Sequence, residues 1–429
     1  MLIQKGYRFQ LRRLREAQER ELVRWIGCAR KVYNLALEWE KNYYKNTGKY
    51  PGRALMDKQI PVFKQEHPYL NDPYSQILQQ VVADLHFGFL RSFKGLGELP
   101  DFKKKYEHDA IRIPQNFEVD AVNGRVFIPK LATQCSTGKK CEKFGWLRFR
   151  KSREIAGKPK NITIARENGK WYVSIQTEID VPAPVHLNAG CEAGIDMGVV
   201  HAITLSDGTH LDLPVETIKE WERKLAHEQR TLARRVKFSK NWIQTKRKIQ
   251  RINKHIANIR KDCLHKHSTT IAKNHGFVSM EDLRVKNMTR SAKGTVDAPG
   301  KNVKAKSGLN RAILRVGWGM FRTMLTYKQA WGGGKLILVP PQNTSRTCPM
   351  CGHVSAENRK TQACFHCVKC GHEANADVVG AINVLKRGRT LSLCGGMSET
   401  KPKRLGGRAF RRSRNPPKLS DAALLHQKQ

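Results

Sequence analysis

GIDMGVVHAITLSDG, residues 194–208, decides the fold of this chain. With its flanks it reads as two short strands joined by a tight Met197-Gly198 turn. Strands this apolar are normally buried in a sheet. Asp196 nevertheless sits in the middle of them. A buried carboxylate is costly unless it is paired, hydrogen-bonded or bound to a cation. Two readings follow. Either Asp196 caps its own turn, or it projects from a strand toward a metal ion. Acidic partners elsewhere in the chain decide between them.

Downstream, THLDLP gives another short strand. Residues 215–274 read as a basic helical hairpin with a thin apolar stripe of Leu225, Leu232, Ile249, Ile252, Ile256 and Ile259. GFVSMEDL is a strand ending in an acidic pair, and residues 284–309 a flexible basic loop. RAILRVGWGMFRTMLTYKQAWGGG is a helix stopped by glycines, KLILVPP a strand, and NADVVGAINVLKRG a last helix. The fold class is α/β, a mixed sheet with antiparallel leading strands.

Upstream the period changes. Residues 11–108 read as a helical module, with Leu22, Ile26, Ala29, Val32, Tyr33 and Ala36 recurring at three and four. QKGYRFQL alternates like an edge strand. IRIPQ, GRVFIPK, GWLRFRKS and KNITIARENGKWYVSIQTEI alternate too, with ENGK as a hairpin turn. A small β-barrel interrupted by the helical module is expected, followed by the Pro-rich linker VPAPVHLNAG.

The composition names a partner class. The chain has 429 residues and a formal net charge of +42, with pI near 10.1. Such an excess points to a polyanion, and nucleic acid fits best. Candidate contacts are Arg234, Arg235, Lys237, Lys240, Lys246, Arg247 and Lys248 on the hairpin, with Lys286 and Arg346 beyond it. Tyr43, Tyr44, Phe102 and Tyr106, set among basic residues, are candidates for base stacking or for core packing. The sequence has no long uncharged apolar stretch, so no membrane role is expected. MLIQKGYRFQLRR turns basic too early for a signal peptide, so cytoplasm is the expected compartment.

Eleven cysteines, four of them in paired spacing, argue for metal and a reducing compartment rather than disulfides. Cys348 and Cys351 form one C-x-x-C, Cys367 and Cys370 the other, and Gly352 and Gly371 follow each second cysteine. Four thiolates close a tetrahedral Zn²⁺ site with no open position, which is structural rather than catalytic. Cys364, His353, His366 and His372 are spare donors, and an iron–sulfur site is the alternative occupant. The spare faces carry Arg346, Arg359, Lys360 and Lys369, suited to nucleic acid.

Two acids stand out as partners of Asp196. Glu281 closes the strand GFVSME, and Asp377 opens the helix after the cysteine module. In a mixed sheet these positions can converge on one edge. Three carboxylates there suit two Mg²⁺ ions and in-line phosphodiester cleavage, with Asp196, the most buried, bridging both.

The chain closely resembles the TnpB proteins of bacterial and archaeal insertion sequences, relatives of type V CRISPR effectors. The likeness runs over most of residues 1–390. It is carried by YRFQL, CARKVYNLAL, GWLRFR, GKWYVSIQTEI, AGIDMGVVHAITLSDG, SMEDLRVKNMTRS, GLNRAILRVGWGMFRTMLTYK, TSRTCPMCG and the second cysteine knuckle. It breaks after the last aspartate. Where the family reads Asp-x-Asn-Ala-Ala, this chain has Asp377-Val378-Val379-Gly380-Ala381.

The resemblance implies an RNase H-like, RuvC-type nuclease domain (191–345 and 373–395) with an inserted zinc ribbon (346–372). It implies a wedge-like β-barrel (1–10 and 109–190) carrying a helical recognition module (11–108), and a basic tail (396–429). The implied activity is RNA-guided cutting of double-stranded DNA beside a short flanking motif. A noncoding guide RNA would be the partner, with a monomer in the RNA–protein complex. Asp196, Glu281 and Asp377 would be the catalytic carboxylates. A non-cutting RNA-guided repressor and a guide-free, transposase-like recombinase are the alternatives.

Overall fold

The computed structural model describes residues 1–105, 109–132, 145–295, 298–361 and 363–393. Tyr106, the tail 396–429 and the end of the span 373–395 lie outside the described residues. The chain forms two compact units, which divide between Val181 and Pro182.

The first unit begins with β1 (Leu2–Gln10) and the long helix α1 (Glu16–Thr47). The helix carries its apolar residues on one stripe, and Leu22, Trp25, Val32 and Leu37 are fully buried. It stops at Gly48, whose φ of +66° suits the left-handed C-terminal cap. Short helical turns at Gly52–Asp57 and Gln59–Glu66 lead to α2 (Ser75–Phe93). The strands follow: β2 (Ala110–Ile113), β3 (Glu118–Asp120), β4 (Arg125–Phe127), β5 (Trp146–Arg148), β6 (Lys158–Glu167) and β7 (Lys170–Asp180).

These strands make two antiparallel sheets, ordered β1-β7-β6-β2 and β3-β4-β5. A bridge between Leu11 and Phe149 links them. The single barrel expected from the alternation is therefore recorded as two linked sheets. The ENGK hairpin forms as read, with Asn168 and Gly169 at φ +51° and +75°. One apolar cluster takes in α1, α2 and both sheets, so the helical module and the strands share a core. Phe102 packs against that core.

The second unit holds the sheet ordered β10-β9-β8-β11-β12. Its strands are β8 (Glu192–Asp196), β9 (Ile203–Leu205), β10 (His210–Leu211), β11 (Phe277–Glu281) and β12 (Lys335–Val339). β8, β11 and β12 run parallel, while β9 and β10 are antiparallel. The mixed sheet is as expected, but the tight Met197-Gly198 turn is not. The connection between β8 and β9 spans residues 197–202. At Gly198 a Cβ would lie 2.4 Å from the His201 carbonyl oxygen, so the wider loop folds closely onto itself.

Helices α3 (Val215–Ala233) and α4 (Lys240–Asn274) form the basic hairpin. α5 (Val303–Val316) and α6 (Trp318–Gly332) follow, and α7 (Ala376–Leu393) ends the described chain. α7 lies flush on the sheet because glycines remove two side chains. A Cβ at Gly194 would meet the Ala381 carbonyl oxygen at 2.0 Å, and one at Gly388 would meet Ser279 Oγ at 1.8 Å. Between β12 and α7 sits the cysteine module, with β13 (Cys364–His366) and β14 (Glu373–Asn375). Among the described residues no helix is long and apolar enough to cross a membrane.

Candidate active site

Two neighbouring parallel strands end together. Ile195 of β8 stands beside Met280 of β11, so Asp196 and Glu281 emerge at the same end of the sheet. This is the carboxyl edge of parallel strands, where open α/β sheets bind ligands. Asp377 arrives from the first turn of α7. Asn375 fixes that turn, its side-chain oxygen accepting from the Asp377 amide at 2.9 Å.

Glu281 and Asp377 both act on Asp196. Burial pushes the Asp196 carboxyl up to about 7, and the charges of Glu281 and Asp377 push it the same way. Arg359 and the Met197 amide pull it back. Glu281 is 8% exposed. Burial raises its pKa, opposed by the Thr344 hydroxyl and by Arg387 and Arg359. Thr344 donates to Glu281 Oε1 at 2.5 Å. The neighbouring acid, Asp282, turns instead to the Arg322 guanidinium at 2.5 Å. Only Glu281 of that pair joins the cluster.

Asp196 thus accepts from the Met197 amide of its own turn and also lies within reach of the charges of Glu281 and Asp377. Gly380 of α7 comes so close that a Cβ there would lie 3.3 Å from Asp196 Cγ. Of the departure Val379-Gly380 from the family pattern, Gly380 thus falls on the helix face against Asp196. Val379 itself is buried with Cys348, Phe365, Cys367 and Ala376 in a small apolar cluster under the cysteine module.

Sequence reasoning missed Arg359 as a member of the site. It was read as a surface cation for nucleic acid. Instead, its guanidinium donates to Asp377 Oδ1 at 3.0 Å, with both side chains mostly covered. Nothing local in the sequence marks this pairing, because the loop between the two knuckles brings it about. Thr344 and Asn383 were also missed. Asn383 donates to the carbonyls of Thr344 and Thr347, tying α7 to the turn leading into the cysteine module.

Cys348, Cys351, Cys367 and Cys370 come together, their Sγ atoms all within 4.8 Å of one another. Zn–S bonds of about 2.3 Å in a tetrahedron require S–S separations of about 3.8 Å. The pairs Cys348–Cys370 and Cys351–Cys367 stand at 3.6 Å. Gly352 and Gly371, at φ +73° and +72°, turn back to donate to the Cys348 and Cys367 carbonyls. Cys364, His353, His366 and His372 do not join the group. His366 pairs with Glu373 instead.

The candidate nucleic-acid residues are mostly exposed: Arg234, Lys237, Lys240, Lys246, Arg247, Lys248, Lys286 and Arg346. Arg235 is half-buried and donates to the Asn241 carbonyl, a structural role. Lys248 lies 3.9 Å from Glu228.

Comparison with known proteins matches three family descriptions. "Probable transposase" covers residues 174–292. "Cas12f1-like, TNB domain" covers residues 318–384. "Helix-turn-helix domain" covers residues 1–49, where this structure has β1 and the single helix α1. A relative from Escherichia coli K12, named as an RNA-guided DNA endonuclease, InsQ, is 44% identical over 92% of this chain and 95% of its own length. Another from Streptomyces pristinaespiralis, named likewise, is 28% identical over 95% of each. A solved structure of CasPhi-2 (Cas12j) bound to crRNA aligns over 91% of this chain and 98% of that one, at 12% identity and TM-score 0.45.

Proposed function

The chain belongs to the TnpB family, the IS605 OrfB transposase group, and on that premise we propose that it is an RNA-guided DNA endonuclease that cuts beside a short flanking motif. What supports the proposal is that Asp196 and Glu281 end neighbouring parallel strands at the carboxyl edge of the sheet, with Asp377 near enough for its charge to act on Asp196. Their sheet, with α7 against it, is read as an RNase H-like, RuvC-type domain, and the two linked N-terminal sheets as its wedge.

The residues fit divalent cations. Among the described residues the three carboxylates do not close within 4.8 Å of one another as the four thiols do, but the charges of Glu281 and Asp377 raise the cost of ionising Asp196, and a cation held between them would relieve that repulsion. Asp196, Glu281 and Asp377 would be the residues that hold Mg²⁺. Bound there, Mg²⁺ supplies charge stabilisation for in-line attack of water on a phosphodiester. The chain's own groups do the remaining work. Thr344 holds Glu281 in one rotamer. Arg359 keeps Asp377 oriented and lowers the proton affinity of its neighbours. Gly380 admits Asp196 close against α7.

The four cysteines would hold a structural Zn²⁺, since their spacing fits a closed tetrahedral set. The basic hairpin would bind phosphates without reading sequence. Guide–target pairing would read sequence, and the protein would read duplex shape and the flanking motif.

The test is purification after expression with the native flanking DNA. One discrete co-purifying RNA is expected, and the complex should cut guide-matched duplex DNA only with Mg²⁺. Intact Asp196→Ala complex should bind the same target and leave it uncut. A wild-type complex that leaves matched DNA whole, with the motif present, refutes the nuclease and favours the repressor. Binding to transposon ends without RNA favours the recombinase.

A further inference from the structure

The tip of the α3–α4 hairpin is built unlike the rest of it. α3 ends at Ala233 and α4 begins at Lys240. Ser239 caps α4, its hydroxyl oxygen accepting from the Trp242 amide at 3.2 Å. Just before that cap, Phe238 has φ +69°. A bulky residue in the left-handed region is an outlier, and Gly or Asn would take the position with less strain. The ring is not buried in return. Phe238 is 71% exposed and Val236 79%, with Ile243 also exposed nearby. Trp242 leans on Phe238 at a centroid distance of 5.5 Å.

Cations surround this apolar tip. Lys237 lies over the Phe238 ring at 5.3 Å, and Lys246 over Trp242 at 5.0 Å. Residues 230–261 hold twelve Lys and Arg and no Asp or Glu. Of the acids of α3, Glu216 and Glu220 sit near its start and pair with Lys219 and Lys224, while Glu228 lies just before this window, 3.9 Å from Lys248. An exposed aromatic pair inside a mostly basic field suits a polyanion with flat apolar faces. Nucleic acid has both, in its phosphates and its bases.

We propose that Phe238, supported by Trp242, stacks on an unpaired or helix-terminal base of the guide RNA while the flanking lysines hold the adjoining phosphates. The proposal rests on the reading of the chain as RNA-guided. RNA is chosen over target DNA because a strained, exposed aromatic tip needs a standing occupant. The guide stays with the protein, whereas the target is met in passing.

The test uses the full chain and, as probe, the RNA that co-purifies with the wild type, transcribed in vitro. Phe238→Gly relieves the backbone strain, so its melting temperature should hold or rise. Its affinity for that RNA should nevertheless fall roughly tenfold, as expected for losing one stacked base. Phe238→Tyr keeps the ring and should bind within about twofold of the wild type. A photo-crosslinking residue at position 238 should label one discrete nucleotide of the RNA.

Wild-type affinity in Phe238→Gly overturns the proposal. So does a crosslink that appears only when target DNA is added, which moves the tip to DNA. A crosslink to a second copy of the chain also overturns it, as an association surface. If no discrete RNA accompanies the wild type, the RNA-guided reading itself fails, a result separate from all of these.

Discussion

Asp196→Asn should stabilise the metal-free protein in mildly basic solution while abolishing cutting. The carboxyl has an ordinary value of 3.8 and is pushed to about 7 in the folded chain by burial, then by Glu281 and Asp377. Below the unfolded value both states are protonated and Asp196 costs nothing. Between the two values the folded state keeps a proton that the unfolded state has released, so stability is lost as pH rises, by about 1.4 kcal/mol for each step of one in pH. Above the folded value the whole cost is present. The gap from 3.8 to about 7 corresponds to about 4 kcal/mol, and about 2 kcal/mol after allowing for solvent relaxation. Asn has the shape of the protonated acid and never ionises. The variant should therefore match the wild type near pH 4 and exceed it by about 2 kcal/mol near pH 8. For a domain of this size that is a melting shift of roughly 4–8 °C. The assay is thermal unfolding across that range in Mg²⁺-free buffer, without a chelator strong enough to strip zinc. Added Mg²⁺ should raise the wild-type melting temperature and leave the variant unmoved. A variant less stable than the wild type near pH 8, or a difference independent of pH, refutes the electrostatic account of the site.

Arg359→Ala removes the cation that lowers the proton affinity of Asp196 and Glu281. The pH–rate profile for DNA cutting should move toward higher pH, and if its midpoint rises by about one, rates on the acidic limb should fall about tenfold. An unmoved midpoint would leave Arg359 a structural role only. Gly194→Ala would drive a Cβ to 2.0 Å from the Ala381 carbonyl oxygen. It should lower stability by about 3 kcal/mol, seen in denaturant unfolding, because the contact is backbone and cannot rotate away. Cys367→Ser removes one of four clustered thiols, so purified protein should carry less than one zinc by elemental analysis and cut poorly despite intact carboxylates.

The site was more legible than the architecture around it. Asp196 announced itself because an acid inside an apolar strand needs compensation, and the structure brings near it two more acids, Glu281 and Asp377, whose charges raise its proton affinity. The cysteine set was legible because two turns of fixed length place four thiols together whatever surrounds them. The β8–β9 connection was misjudged, since Met-Gly looks like a two-residue turn while the chain closes through Gly198 and His201. The shared core of the first unit was hidden too. Periodicity marks which face of α1 is apolar, but not that the face is covered jointly by α2 and the strands. Gly194 and Gly388 carried no signal of their own in the sequence reading. Their meaning needed the position of α7.

Arg359 shows why some site residues escape any one-dimensional reading. It lies between the two cysteine knuckles, in the short 3-10 turn Ala356–Arg359, and reaches Asp377 on the far side of the second knuckle. The turn is held by Asn358, fully buried, which donates to the Arg346 and His353 carbonyls and accepts from the Val368 amide. Asn358 thus joins the segment before the first knuckle to the second. Closing the thiol set fixes both knuckles, and through Asn358 it fixes where Arg359 can point. Asn383 and Thr344 make the matching link on the other side, from α7 to Glu281. The proposed zinc is then structural for the ribbon and also positions the acidic cluster, although it touches none of the carboxylates. Asn358→Ala tests this directly, because it leaves all four thiols in place. It should keep bound zinc yet move the pH–rate profile in the same direction as Arg359→Ala. Loss of zinc in Asn358→Ala, or an unchanged profile with zinc retained, would show that the ribbon and the acids are coupled by another route.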